Sequence, residues 1–212
     1  MLELGVKVLL SYLLGALNGS LVIGKFSGVD IRSVGSGNAG GTNALRTQGR
    51  WFAFFVMVID IGKGWLSAAL LPGLELPGVP LDPAVSRTWL MLACGGAAVV
   101  GHCYPVWFDF AGGKGMATAI GVMSAVAPGV LLPAAIVFVA ALVLTGFVGL
   151  ATMASVTSMS VYLAFTDFAT RQSTVLFLVL LALFIIFTHR SNIRRILDGN
   201  EHRVVKAMLF RR

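Results

Sequence analysis

Charge is scarce in this sequence. Asp, Glu, Lys and Arg make up 12% of its 212 residues, about half the share of an ordinary soluble domain. Hydrophobic residues reach 57% and mean hydropathy is +0.88. They come in long blocks rather than at helix or strand period. That combination excludes a soluble globular enzyme, a disordered chain and a coiled coil, and it describes a polytopic membrane protein. No charged residue stands between Lys114 and Asp167. No nucleic-acid surface has such a gap, so the formal net charge of +7 does not mark nucleic-acid binding. Cysteine is nearly absent as well. Cys94 and Cys103 fall on one predicted helix, about 13 Å apart along its axis, too far to pair.

The first apolar block runs from about Leu4 to Phe26. It begins with Glu3 and Lys7 rather than a basic n-region and lacks an A-x-A cleavage site, so it reads as a retained anchor. The second, Trp51 to Leu71, contains Asp60 and Lys63 at i, i+3, a pair that either neutralises itself inside a bundle or, as intramembrane charges more often do, serves function. A Pro-rich connection from Pro72 to Arg87 leads to a third block, Thr88 to about Tyr104, near whose end His102 reads as a boundary histidine. The uncharged stretch 115–166 divides into three short crossings at Pro128-Gly129 and around Gly146 and Gly149. The last block is Thr174 to Thr188.

The basic residues set the topology. Lys25, Arg32, Arg46 and Arg50 lie in one segment; Arg190, Arg194, Arg195, Arg203, Lys206, Arg211 and Arg212 lie in the tail. Cytoplasmic loops carry the Lys and Arg excess, so both segments belong on that side, with an even number of crossings between them. Three spans in 115–166 make that number even; two would not. The expected fold is an all-α integral membrane bundle of about seven transmembrane helices, N-terminus outside and C-terminus cytoplasmic, forming a single polytopic domain over residues 1–212. Segments of about 27–50, 105–115, 146–152 and 189–212 then face the cytoplasm, and every chemical-looking stretch falls in one of them. In the tail, Ile193, Ile196 and Leu197 oppose Arg194, an amphipathic pattern suited to anionic headgroups.

Gly35-Ser-Gly-Asn-Ala-Gly-Gly-Thr-Asn-Ala-Leu-Arg46 is the richest of these stretches. Its glycines free successive backbone N–H groups to turn toward one point. Ser36 and Thr42 add hydroxyls, Asn38 and Asn43 amides, and Arg46 a planar fork suited to phosphate. No acid occurs between Asp30 and Asp60. A donor-rich, acid-free loop suits a phosphate monoester, whereas a capped interhelical linker would need none of this. In Phe110-Ala-Gly-Gly-Lys-Gly-Met-Ala-Thr118, Gly112, Gly113 and Gly115 expose backbone around Lys114. It is not a Walker A loop, which would need Gly at Phe108 and Ser or Thr at Gly115. It reads as an anion site at a helix N-terminus, although a snorkelling lysine would look the same. In the third stretch, His189 and Asn192 share a helix face, and Arg190 and Arg194 another, although a plain positive-inside tail with an interfacial histidine would look the same.

Taken together these stretches resemble one family, the acyl-phosphate-dependent glycerol-3-phosphate acyltransferases of bacterial membranes, the PlsY type. The matching residues are Asp30-Ile-Arg-Ser-Val-Gly-Ser-Gly-Asn with Thr42-Asn43 and Arg46, Asp60-x-x-Lys63-Gly64, Gly101-His102 with Pro105, Gly112-Gly-Lys-Gly-Met-Ala-Thr118, and His189-Arg-x-Asn-Ile with Gly199 and Glu201. They run in order along nearly the whole chain. The resemblance implies a seven-helix bundle that transfers a fatty acyl group from acyl phosphate to the sn-1 hydroxyl of glycerol 3-phosphate, giving lysophosphatidic acid and phosphate. It implies catalytic roles for Ser36, Arg46, Lys114 and His189: the first three hold phosphate, and His189 with Asn192 binds or orients glycerol phosphate. Asn38, Thr42, Asn43, Gly113, Gly115 and Thr152 complete the expected binding set. No cofactor and no metal is expected. The expected surroundings are membrane lipid in the bacterial cytoplasmic (inner) membrane, a site facing the cytoplasm, and a partner in the enzyme that forms acyl phosphate. The sequence departs from the family in two places. Ala16-Leu17-Asn18 stands where Ser-Ile-Pro is usual, and Gly146-Phe-Val-Gly-Leu-Ala-Thr152 where Arg-Tyr-Val-Ser-Leu-x-Ser is usual, with Thr152 left to stand in for one serine.

An acyl phosphate is a mixed anhydride with a good leaving group, so such a site needs no covalent intermediate. It must hold two phosphates close together and aim a hydroxyl at the carbonyl. Either His189 or the substrate's own phosphate takes the proton. The H-x₄-D signature of other acyltransferases is absent, since the positions five after each histidine hold Trp107, Arg194 and Ala207. A kinase or ATPase would need metal-holding carboxylates beside the glycine-rich loops. The remaining alternative is a membrane carrier for phosphorylated solutes.

Overall fold

The computed structural model describes residues 1–209, and their regular structure is helical, apart from one isolated bridge between Leu76 and Val79. Arg211 and Arg212, counted above in the basic tail, lie outside the described residues. The chain clusters into two compact units that meet in sequence at Val126 and Ala127.

The first unit contains α1 (Leu2–Gly15), α2 (Gly19–Phe26), α3 (Gly41–Gln48), α4 (Arg50–Trp65), α5 (Arg87–Cys103) and α6 (Met116–Val126). The first apolar block is not one straight span. It bends by 48° between α1 and α2, where Asn18 caps α2 by accepting a hydrogen bond from Leu21 N at 3.2 Å. α4 continues through a π-helical turn to Gly73. α5 carries both cysteines, buried and unpaired.

Small residues bring these helices together. α1 packs on α5 and α4 on α6. A Cβ added at Gly15 would run into the backbone of Ala98, and one at Gly121 into that of Ile61. Close backbone approach of this kind replaces hydrophobic burial as the source of packing inside a membrane. Glu3 and Lys7, near the start of α1, form a buried ion cluster. Glu3 accepts Lys7 Nζ at 2.8 Å, both Arg87 Nη atoms at 2.7 and 2.8 Å, and Asp82 N at 2.8 Å. Lys7 also donates to Pro72 O at 2.8 Å. The Pro-rich connection is thereby tied to the first helix.

The second unit contains α7 (Leu131–Thr145), α8 (Val148–Thr188) and α9 (Arg190–Leu197). α7 ends at Gly146, whose φ of +75° is left-handed. α8 has 41 residues and leaves helical geometry at Asp167 and Arg171, the first charges after Lys114. A straight helix of that length would be about 60 Å long, twice the hydrocarbon core. The tail folds back on the α7–α8 turn: Val204 N donates to Gly146 O at 2.9 Å and Leu209 N to Val143 O at 3.1 Å. Arg203 stacks on the Phe147 ring, 4.7 Å from its centroid.

Among the described residues, four helices are long and apolar enough to cross a membrane, and a fifth if the bent α1–α2 pair counts as one span. The breaks fall at Ala127–Pro128 and Gly146, as the sequence suggests. α6, where a full crossing is expected, has only 11 residues, about 16 Å.

Candidate active site

The glycine-rich segment is held on both flanks. Ile31 and Ala39 are fully buried, with Val34 and Phe108 packed on their cluster. Arg32 grips Asp30 in a fork, Nε to Oδ1 and Nη2 to Oδ2 both at 3.0 Å, and reaches Phe108 O at 3.1 Å. The Arg32 side chain, then its backbone N–H, hold the Asp30 carboxyl below the usual carboxylate range. Asp30 and Arg32 therefore brace the loop.

Asn43 is the inner anchor. Its side chain is 1% exposed; Oδ1 accepts Ser36 N at 2.9 Å, and Nδ2 donates to Ile31 O at 3.1 Å and Val34 O at 3.0 Å. Gly35, at φ +61°, makes that closure possible, since a Cβ there would collide with Asn43 and Thr47. Asn43 thus spends its amide on loop shape. Thr42 and Arg46, four residues apart on α3, share an exposed face, and Ser36 is exposed too, with Asn38 half-buried.

The second loop is fastened to the end of α5. Gly113 N donates to His102 O and Gly112 N to Cys103 O, both at 3.1 Å. Gly113 is so tightly enclosed that a Cβ would strike the His102 imidazole and lie 2.6 Å from Ala39 O. The two glycine-rich loops therefore meet at Ala39 and Gly113. Asn18 ties them, its Nδ2 reaching Ala39 O at 3.1 Å and His102 O at 3.4 Å. Lys114 follows, half-buried, and Gly115 at φ +90° turns the chain into α6. His102 is not a boundary histidine. It is 2% exposed, with Nδ1 3.0 Å from Lys63 Nζ and 3.2 Å from Asp60 Oδ1. The expected Asp60–Lys63 pair forms, at 2.9 Å.

In the second unit His189 is 5% exposed, and its Nδ1 lies 2.8 Å from Ile185 O. That contact needs the proton on Nδ1. Asn192 is 7% exposed and donates from Nδ2 to Glu201 Oε1 at 2.9 Å, while Arg195 Nε holds Oε2 at 2.6 Å. Thr152 is buried, its hydroxyl donating to Val148 O at 2.9 Å. Gly149 lies against Asn192: a Cβ there would be 2.9 Å from Asn192 Cγ. The glycine at this position gives Asn192 its room.

The profile of the family described as "Glycerol-3-phosphate acyltransferase" matches residues 6–199. The chain belongs to that family. A glycerol-3-phosphate acyltransferase of Aquifex aeolicus (strain VF5) is 38% identical over 197 residues, covering 92% of this chain and 96% of the relative. One from Geobacillus kaustophilus (strain HTA426) is 42% identical over 199 residues, 93% of this chain and 94% of the relative. Crystal structures of PlsY, an integral membrane glycerol 3-phosphate acyltransferase, match in fold. Its glycerol 3-phosphate form gives a TM-score of 0.81 at 34% identity, and its lysophosphatidic acid form 0.80 at 33%, each covering 94% of both chains. This PlsY-type chain is therefore an acyltransferase and a multi-pass membrane protein, and the carrier alternative falls.

Three contributors escaped the sequence reading: Asn18, His102 and Glu201. Asn18 occupies the first departure from the family pattern. In the sequence Glu201 stands out only as a matching position, and His102 as a matching position and a boundary histidine. The one signal that pointed inward was the pair of intramembrane charges, Asp60 and Lys63.

Proposed function

We propose that this acyltransferase uses acyl phosphate as donor, acylating the sn-1 hydroxyl of glycerol 3-phosphate to give lysophosphatidic acid and inorganic phosphate. The observation that carries the reading is the meeting of two glycine-rich loops at Ala39 and Gly113, with Lys114 next in the chain and no acid in either loop. The PlsY relative's glycerol 3-phosphate and lysophosphatidic acid forms name a substrate and product of the same chemistry.

Ser36, Arg46 and Lys114 hold phosphoryl oxygens, with Asn38, Thr42 and the backbone N–H of Gly115 as further donors, while the Gly113 N–H, bonded to His102 O, shapes the loop instead. Asn43 acts by keeping Ser36 in place. His189 and Asn192 serve glycerol phosphate, with Thr152 near Gly149 on the same helix. The glycerol hydroxyl oxygen attacks the acyl carbonyl carbon, the carbonyl–phosphate C–O bond breaks, and phosphate leaves with the bonding pair. The hydroxyl proton passes to His189 or to the substrate's own phosphate. Cations on the leaving phosphate stabilise the charge that develops there.

The topology that goes with this reading has seven crossings, an outward N-terminus and motif segments 27–50, 105–115, 146–152 and 189–212 on the cytoplasmic side of the inner membrane. The 41-residue α8 counts twice and α6 is a short span. One functional domain covers the chain, and the enzyme that forms acyl phosphate delivers donor to it.

Purified protein with glycerol 3-phosphate and palmitoyl phosphate in detergent is expected to release phosphate and form lysophosphatidate, with no product from palmitoyl-CoA. Product from the thioester alone would overturn the donor assignment. A second expectation follows from Gly149. A Gly149→Ser substitution, although it restores the family's usual residue, pushes Asn192 away from α8. The KM for glycerol 3-phosphate should rise on the order of 10-fold, with unchanged KM for the donor. A wild-type KM in the folded variant would remove Asn192 from the substrate site.

A further inference from the structure

Beside Gly113 lies a buried cluster to which neither glycine-rich loop contributes a side chain. Asp60 and Lys63 of α4 and His102 of α5 are 0%, 3% and 2% exposed. Lys63 Nζ lies 2.9 Å from Asp60 Oδ1, 3.0 Å from His102 Nδ1 and 3.1 Å from Leu17 O. An ammonium has three protons, and these three acceptors take them all. With Nδ1 accepting from Lys63, the imidazole proton belongs on Nε2, an assignment made from the hydrogen-bond complement. The 3.2 Å approach of Nδ1 to Asp60 Oδ1 then reflects two acceptors gripping one ammonium. Asp60 Oδ1 also accepts Gly19 N at 3.0 Å.

An ion pair that served only to neutralise itself would need none of this reach. The cluster touches the α1–α2 break at Leu17 and Gly19, and it fixes the imidazole whose Nε2 edge presses on Gly113. The backbone of the same histidine accepts Gly113 N. His102 thus holds the loop twice, by its carbonyl and by its ring, one residue before Lys114.

We propose that Asp60, Lys63 and His102 are positioning residues: they set the Gly112–Gly113 backbone and, through it, the placement of Lys114 against the substrate phosphate. The proposal rests on the reading of Lys114 as a phosphate-holding residue. None of the three is a catalytic residue. They act through the loop, and the break in the first span is held by the same ammonium.

The test separates the two edges of the ring. In His102→Asn the amide reaches the Nδ1 position and keeps an acceptor for Lys63. In His102→Gln it reaches the Nε2 position and keeps a donor beside Gly113. The Asn variant is expected to keep its thermal midpoint but raise the KM for acyl phosphate on the order of 10- to 100-fold. The Gln variant should melt earlier yet recover most of that KM. Loss of activity in both variants in proportion to the unfolded fraction, at wild-type KM, would overturn the proposal. Should neither variant fold, Gly113→Ala tests the same contact from the loop side with all three side chains of the cluster retained. It is expected to show the same rise in KM, and a wild-type KM in that folded variant would equally overturn the proposal. Lys114→Ala runs alongside. Normal turnover there would sink the reading of the loop, whereas an inactive Lys114→Ala with a wild-type KM in His102→Asn would sink this proposal alone.

Discussion

A Lys114→Ala variant is expected to lose turnover by a factor on the order of 10²–10³, the usual cost of removing one preorganised donor from a site where anionic charge develops. The protein should stay folded, because Lys114 is half-buried and the loop that presents it is fastened by backbone bonds from Gly112 and Gly113 to Cys103 and His102. The loss should appear in kcat/KM for acyl phosphate, as a higher KM and a lower kcat together, because Lys114 holds the donor's phosphate before the C–O bond breaks and faces more charge on it afterwards. Lys114→Arg, which keeps the cation on a longer and planar group, should recover part of the rate but not all of it. Phosphate release per mole of folded protein in detergent measures both. Turnover near wild type for Lys114→Ala would mean that the leaving group is held elsewhere.

The second large effect concerns stability. Lys63→Met leaves the fully buried Asp60 carboxylate without its ammonium, and breaking a buried pair in this way costs about 3–5 kcal/mol. One carboxylate oxygen, Oδ2, already has no hydrogen-bond partner, so the site has no reserve of donors. Thermal unfolding in detergent should show a large fall in midpoint. Adding Asp60→Asn to Lys63→Met removes the stranded charge and should restore much of the midpoint, since an uncharged pair carries no comparable desolvation cost. Activity should not return with it, because nothing then holds Nδ1 of His102 as Lys63 does. A double variant as unstable as the single would show that the pair's charge is not what the fold depends on.

Much of this organisation is legible in the residues. Helix breaks at Pro128 and Gly146 follow from a ring that cannot continue a helix upstream and from a residue that adopts positive φ without strain. The clustering of Ser36, Thr42, Asn43 and Arg46 in one segment is a matter of short range, but the structure sets only Ser36 in the loop, with Thr42, Asn43 and Arg46 on α3. Family membership is also written in sequence, since ordered motifs along the chain suffice for it.

His102 shows where such reading stops. An almost wholly apolar helix has no polar face to reveal its inner side, so a histidine near its end looks like an interfacial residue. Only the packing of α5 beside α4 brings it to Lys63. Asn43 looked like a donor for substrate, and its bonds to Ile31, Val34 and Ser36 depend on how the loop folds over it. Gly149 looked like a lost serine, and its worth as space for Asn192 exists only once α9 has turned back on α8. The sequence by itself determined the membrane class, the segment order and the chemistry on offer, because these depend on composition and near neighbours. The tertiary structure decided which polar groups face each other, because contacts between residues such as Lys63 and His102 depend on helix rotation that an apolar sequence leaves open.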